Sequence, residues 1–209
     1  MKKAEDFLQQ LGMPLSSSAN SAELDLSDKG PAESLAQSLS ETAAFEAVEK
    51  LSHQIESRAV YLLGIREHGA KELKSKLRTK FPETPELLED CQELPGLVKS
   101  LIDDVLQRCQ DNNWQSDERY IEQAVRNWTT KGSGPNKIRQ KLSVATDRED
   151  LISIYLDWDE SEWVELAQDV LTKKYGDTQK PEARNEQAKR MRFLQSRGFA
   201  PSTVWKAFR

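Results

Sequence analysis

Apolar residues recur along this chain three or four positions apart, between charged ones, and almost never alternate singly as a half-buried strand requires. Val48, Leu51, Ile55, Ala59 and Leu62 mark one face of a long helix, Ile121, Ala124, Val125 and Trp128 a second, and Trp163, Val164, Ala167, Val170 and Leu171 a third. A glycine follows each of them, Gly69, Gly132 or Gly176, and reads as the helix stop. A shorter basic helix comes next. Lys71-Glu-Leu-Lys-Ser-Lys-Leu-Arg-Thr-Lys-Phe81 aligns with Asn136-Lys-Ile-Arg-Gln-Lys-Leu-Ser-Val-Ala145, which puts Leu73 and Leu77 on Ile138 and Leu142. In Met191-Arg-Phe-Leu-Gln-Ser-Arg-Gly-Phe199, Leu194 takes the place of Leu77 and Leu142.

A third helix closes each unit. Ile152 lies ten residues after Leu142, with Leu156 four further on, and Val204 and Phe208 repeat that spacing after Leu194. Thr146-x-x-Glu149 and Asp159-x-x-Glu162 are capping-box patterns, and Pro135 and Pro201 stand where a first helical turn accepts proline. In the first unit the third helix, residues 97–110, is delayed by an insertion at 82–96 with a short turn of its own behind Thr84-Pro85. Units of this size bury too little alone, so stacking is expected. The predicted architecture is all-α: a tandem array of three three-helix repeats, elongated and curved, at 46–113, 114–158 and 159–209. Residues 1–45 precede it as an acidic, flexible arm, with a Ser/Asp/Asn-rich linker at 16–29 and a helix-prone stretch at 32–47 that extends the first long helix. The five tryptophans, Trp114, Trp128, Trp158, Trp163 and Trp205, are read as packing residues.

Composition supports the helical reading and narrows the function. The 209 residues have a mean hydropathy of -0.73 and only 9 Gly and 8 Pro. No apolar run reaches the roughly 20 residues of a membrane span, and residues 1–20 hold no signal-peptide core, so a cytoplasmic protein without a membrane partner is expected. Cys91 and Cys109 form no Cys-x-x-Cys pair and are expected to be buried free thiols. The net charge of -5 conceals a segregation of signs. Residues 66–80 carry 6 basic and 2 acidic side chains, 131–148 carry 5 and 1, and 180–209 carry 8 and 2. Between these blocks, residues 82–118 hold 2 basic against 10 acidic, and 149–169 hold none against 8. Alternating blocks predict distinct positive and negative faces that steer toward a polyanion or a bipolar protein surface.

Catalytic chemistry finds little to work with. His53 and His68 are the only histidines and read as surface residues, so a Ser/His/Asp triad or a His-based metal cage has few candidates. Gly132-Ser-Gly134 lacks the Gly-Lys-Ser/Thr and the preceding strand of a phosphate loop and reads as a turn between helices. The adjacent pair Asp103-Asp104 diverges around a helix. No enzyme, cofactor or metal is expected.

Four segments in order carry a resemblance. Ala59-Val-Tyr-Leu-Leu-Gly-Ile-Arg66 with Glu72-Leu-Lys-Ser-Lys-Leu77, Lys131-Gly-Ser-Gly-Pro-Asn-Lys-Ile-Arg-Gln-Lys-Leu142, Leu171-Thr-Lys-Lys-Tyr-Gly176 and Arg192-Phe-Leu-Gln-Ser-Arg-Gly-Phe199 resemble the RecX family of bacterial recombination regulators over about residues 50–209. The resemblance implies a crescent of three-helix repeats that lodges in the groove of the RecA nucleoprotein filament and restrains its ATPase, strand-exchange and coprotease activities, in recombination, DNA repair and the SOS response. It makes the RecA filament the expected partner, with single- or double-stranded DNA inside it, and a monomer the expected state. The chain departs from the family where Lys80-Phe81-Pro82 and Val144-Ala145-Thr146 stand in place of Lys-Gly, and where Asp117-Glu118 replaces an Asp-Asp pair. The candidate RecA- or DNA-binding residues are Arg66, Lys74, Arg78, Lys137, Arg139, Lys141, Arg190, Arg192 and Arg197. An autonomous DNA-binding protein using the same basic helices on phosphates is the alternative.

Overall fold

The computed structural model describes residues 31–93 and 95–208, with side chains from residue 39 onward. The chain divides into two compact units, residues 1–39 and 40–209, and all side-chain geometry below belongs to the second. The arm at 1–30 lies outside the described residues.

Every regular element among the described residues is helical. The first unit is built from α1 (Pro31–Ile65), α2 (Ala70–Lys80) and α4 (Leu97–Asp111), with the short α3 (Pro85–Cys91) inside the insertion. The second comprises α5 (Asp117–Thr130), α6 (Pro135–Ala145) and α7 (Glu149–Tyr155), and the third α8 (Glu160–Tyr175), α9 (Arg184–Ser196) and α10 (Pro201–Lys206). The shared register is real: Leu73, Leu77, Ile138, Leu142 and Leu194 are all 0% exposed. Each such side chain contributes roughly 1.5–3 kcal/mol by leaving water, against roughly 0–1 for an exposed ion pair, so these positions hold the units together.

The units are not three equal cores. Leu51, Ile55 and Ala59 of α1 pack with Leu73, Leu77, Ile102, Val105 and Cys109 in one core, whereas the second and third units share a single continuous one. That shared core runs from Ile121 and Ile138 through Ile152 and Trp163 to Leu171, Leu194 and Val204, with Trp158 stacked on Trp163 at 4.6 Å between ring centroids. The insertion is pinned at both ends. The Thr84 hydroxyl accepts from Leu87 N to cap α3, and the Glu83 carboxylate accepts from Gly96 N (2.9 Å) and Val98 N (3.0 Å) at the start of α4.

Several local expectations are corrected. Gly69 does not stop the first long helix, which ends at Ile65; it is the N-cap of α2. The Asp159–Glu162 capping box forms, but Thr146 does not cap with Glu149, because its hydroxyl donates to Asp117 and accepts from Arg148 N. His68 is buried rather than on the surface, while His53 is exposed. Trp163 packs as expected, yet Trp114 and Trp205 are 46% and 56% exposed. Both cysteines are buried and free. No helix of the described residues is long and apolar enough to cross a membrane.

Candidate functional site

The three basic helices meet end to end. Gly69 and Gly134 hold the same register, four residues before Leu73 and Ile138, and each receives the end of the next unit's second helix. A Cβ on Gly69 would stand 2.3 Å from the Ala145 carbonyl oxygen, and one on Gly134 would stand 2.6 Å from the backbone between Gly198 and Phe199. At the second of these contacts Gly134 N donates to Arg197 O (2.8 Å) and Asn136 N to Gly198 O (3.1 Å). Only a glycine admits backbone this close. The C-terminal end of α9 thus abuts the start of α6, and the C-terminal end of α6 abuts the start of α2.

The first junction is a polar lock. The Asp117 carboxylate accepts from Ala70 N (2.8 Å), Gln115 Nε2 (2.9 Å) and the Thr146 hydroxyl (2.7 Å). Gln115 Nε2 also donates to His68 O (3.1 Å), and Arg119 Nε to Glu67 (2.8 Å). One carboxylate from the second unit therefore caps a helix of the first and reaches the end of α6. Burial pushes the His68 imidazole below its ordinary value, even though Glu72, 3.3 Å away, favours the proton. Glu72 itself is held below the usual glutamate range: burial pulls the other way, but hydrogen bonds from Arg66 and His68 outweigh it.

The nine sequence-derived basic residues separate into two sets. Four are bound to carboxylates: Arg66 to Glu72, Lys74 to Asp103, Arg139 to Glu149, and Arg190 to Asp177 and Glu186. Lys74 and Arg139 occupy the same register, and each is neutralised by the third helix of its own unit. Arg190 is turned inward, with a side chain only 12% exposed and its guanidinium over the Tyr175 ring. It stands four residues before Leu194, the register of Leu73 and Ile138, so the repeat itself directs it to the interior. Its pairing with Asp177 raises its own pKa further and holds that carboxyl below the usual aspartate range.

The other five carry their charge toward solvent or onto neutral partners. Arg78 and Arg192 are exposed, and Arg192 Nε donates within its own helix to Ala188 O. Lys137 Nζ donates to Ser196 O across the second junction. Lys141 lies 4.8 Å over the Trp128 ring, in a groove of about 770 Å³ at the first junction that Arg66, Glu67, Glu72, Gln123 and Asn127 also line. Arg197 donates to Lys131 O (3.0 Å) and lies 5.3 Å over Phe193. Arg197 also lines a second hollow, of about 440 Å³, with Lys131, Lys173 and Lys174. Lys173 and Lys174 belong to the segment at 171–176 but not to the nine candidates, because they precede the basic block at 180–209.

Residues 160–208, spanning α8 to α10, match the model described as "RecX, third three-helix domain". Among curated proteins, the regulatory protein RecX of Vibrio vulnificus is 31% identical over 142 residues, covering 68% of this chain and 82% of that protein. The regulatory protein RecX of Actinobacillus pleuropneumoniae serotype 5b is 34% identical over 142 residues, with 67% and 81% covered. A crystal structure of RecX from Lactobacillus salivarius matches the fold with a TM-score of 0.58 at 19% identity, covering 76% of this chain and 95% of that one.

Proposed function

This chain belongs to the RecX family of regulatory proteins, and from that premise we propose that it binds the RecA nucleoprotein filament and inhibits its ATPase, strand-exchange and coprotease activities. It would act in this way in recombination, DNA repair and the SOS response. The observation that carries the reading is the end-to-end succession of the three second helices, which presents one kind of surface at successive places along the molecule. A filament of identical protomers offers a repeating target of the same kind, and linked weak contacts multiply into avidity without any single strong one. Two features favour a protein partner at the first junction. The groove there mixes both signs of charge with amides and an aromatic face, and Lys141 is already positioned over Trp128. The action is by occupancy rather than catalysis, and a single copy of the chain suffices for it.

The test is RecA-dependent ATP hydrolysis on single-stranded DNA, with the full chain titrated in and filament co-sedimentation measured in parallel. Hydrolysis should fall as the protein co-sediments. No effect at any ratio, with no co-sedimentation, would sink the proposal.

A further inference from the structure

The hollow at the second junction is unlike the groove at the first. Lys131, Lys173, Lys174 and Arg197 line it and no carboxylate does. Lys174 Nζ sits 3.7 Å and the Arg197 guanidinium carbon 5.3 Å from the centre of the one Phe193 ring. The two cations are therefore no further apart than the sum of those distances, about one screening length at physiological ionic strength (about 8 Å). The Arg197 donation to Lys131 O and the packing of both cations on Phe193 fix this crowding in the fold.

Helix ends account for part of the charge. Lys131 is the C-cap of α5, Arg197 the C-cap of α9, and Lys173 and Lys174 lie in the last turn of α8, so three helix C-termini converge here. Each carries roughly half a negative charge, about -1.5 together, against four cations. About two and a half positive charges are left over. Repulsion among them is a standing cost that an anion would remove. We infer that this cleft is a site for the phosphodiester backbone of a nucleic-acid strand, taking about two phosphates through Lys131, Lys173, Lys174 and Arg197.

The site offers charge and donors but no means of reading a base. Phe193 is already engaged by Lys174, Arg197 and Tyr175, and the Thr130 hydroxyl donates to Arg126 O. Binding is therefore independent of sequence and strongly dependent on salt. A protein surface fits less well, since it presents backbone and side-chain donors beside its carboxylates, and the carboxylates and amides that meet donors in the first groove are missing from the lining of this cleft. The inference does not depend on the RecA reading, because it concerns the isolated chain.

The experiment measures anisotropy of a fluorescein-labelled oligothymidylate with the full chain, its K173Q/K174Q variant and a K50Q/K99Q control of equal charge change in the first unit. All four lysines are exposed, so each variant should keep the fold. At low salt, K173Q/K174Q should bind at least roughly tenfold more weakly, and its slope of log K against log salt should shrink by about 1.4, at about 0.7 per phosphate on a single strand. The control should stay within about twofold. Without DNA, K173Q/K174Q should melt no lower than the parent, since it relieves repulsion, and it should lose the rise in Tm that the oligonucleotide gives the parent. Equal losses in the two variants would make the effect one of overall charge and overturn the assignment. Unchanged oligonucleotide binding with lost RecA co-sedimentation would overturn it too, giving the cleft to an acidic protein surface. Lost oligonucleotide binding with RecA co-sedimentation retained supports it and leaves the filament reading standing on its own test.

Discussion

Replacing Asp117 by alanine removes a carboxylate that accepts three hydrogen bonds at the first junction, one of them across it from Ala70 N and two from Gln115 and Thr146 of its own unit. Ala70 N sits at the open end of α2 and can turn to water. Thr146 and Gln115, 1% and 3% exposed, cannot. Thr146 keeps the bond it accepts from Arg148 N, and Gln115 keeps the one it donates to His68 O, so each loses one bond rather than all. At roughly 1 kcal/mol for each lost bond of this kind, the total is about 3 kcal/mol. For a chain of this length that is a fall in Tm of roughly 6–12 °C. Asp117→Asn is the informative partner variant. Its carbonyl oxygen can still accept from Ala70 N and Gln115, and its amide can donate to the Thr146 oxygen, so it should cost only about 1 kcal/mol. Urea unfolding gives the totals, and hydrogen exchange at the Ala70 amide, bonded to Asp117, reports the junction itself. D117A within about 0.5 kcal/mol of the parent, or D117N as costly as D117A, would refute the polar-lock account.

Three further outcomes follow from the same geometry. Gly134→Ala puts a Cβ against the Gly198–Phe199 backbone at 2.6 Å and should destabilise by about 2 kcal/mol or more, measured by urea unfolding; a neutral effect would mean that the junction is not closed. Arg190→Leu restores the apolar residue found at this register in the other two units and should leave Tm unchanged or raised, whereas Arg190→Ala should lower it. Oligonucleotide and RecA binding by R190L should match the parent; a loss of either would make Arg190 a contact residue. Finally, the folded His68 takes up its proton below its ordinary value near 6.5, so the unfolded chain binds more protons in that window. Stability should therefore fall as pH drops through about 6.5 toward the depressed folded value. Glu72 adds in the same sense lower down, its contribution present above about 4.5 and lost as pH falls through its depressed value. His68→Gln should flatten the upper part of the urea-midpoint profile, and an upward slope on acidification would contradict the assignment.

What sequence could reveal depended on how far apart the interacting residues lie. The helices and the register of Leu73, Leu77, Ile138, Leu142 and Leu194 are local patterns, and both are present. The same register held the information that Arg190 faces inward; its charge hid it. By contrast, Asp117 meets Ala70 across 47 residues and Thr146 across 29, and no short motif encodes such pairs. That long-range bond is also why the capping pattern at Thr146 misled: the hydroxyl was already engaged. His68 read as a surface residue because lone histidines usually are, yet the fold closes over it where the first two units join. Lys173 and Lys174 sit outside the basic block as drawn along the chain, and only the convergence of α5, α8 and α9 brings them to Lys131 and Arg197.

The three basic segments look alike in sequence, and the third helices make them unequal. In the first unit α4 carries Asp103 within reach of Lys74, and in the second α7 carries Glu149 within reach of Arg139. The third unit closes with α10, Pro201-Ser-Thr-Val-Trp-Lys206, which has no acidic residue, and its own Lys206 turns away to Glu160 on α8. The cations at the end of α9 therefore have no third-helix carboxylate to neutralise them, and the matching core position, Arg190, takes the nearby Asp177 and Glu186 for itself. Positive charge survives at the second junction because no carboxylate lines its cleft, whereas at the first Arg66 is paired with Glu72 and Arg119 with Glu67. A segment's net charge thus says little about where a polyanion will bind; the charge left after internal pairing decides it, and at the second junction four cations line one cleft that no carboxylate lines.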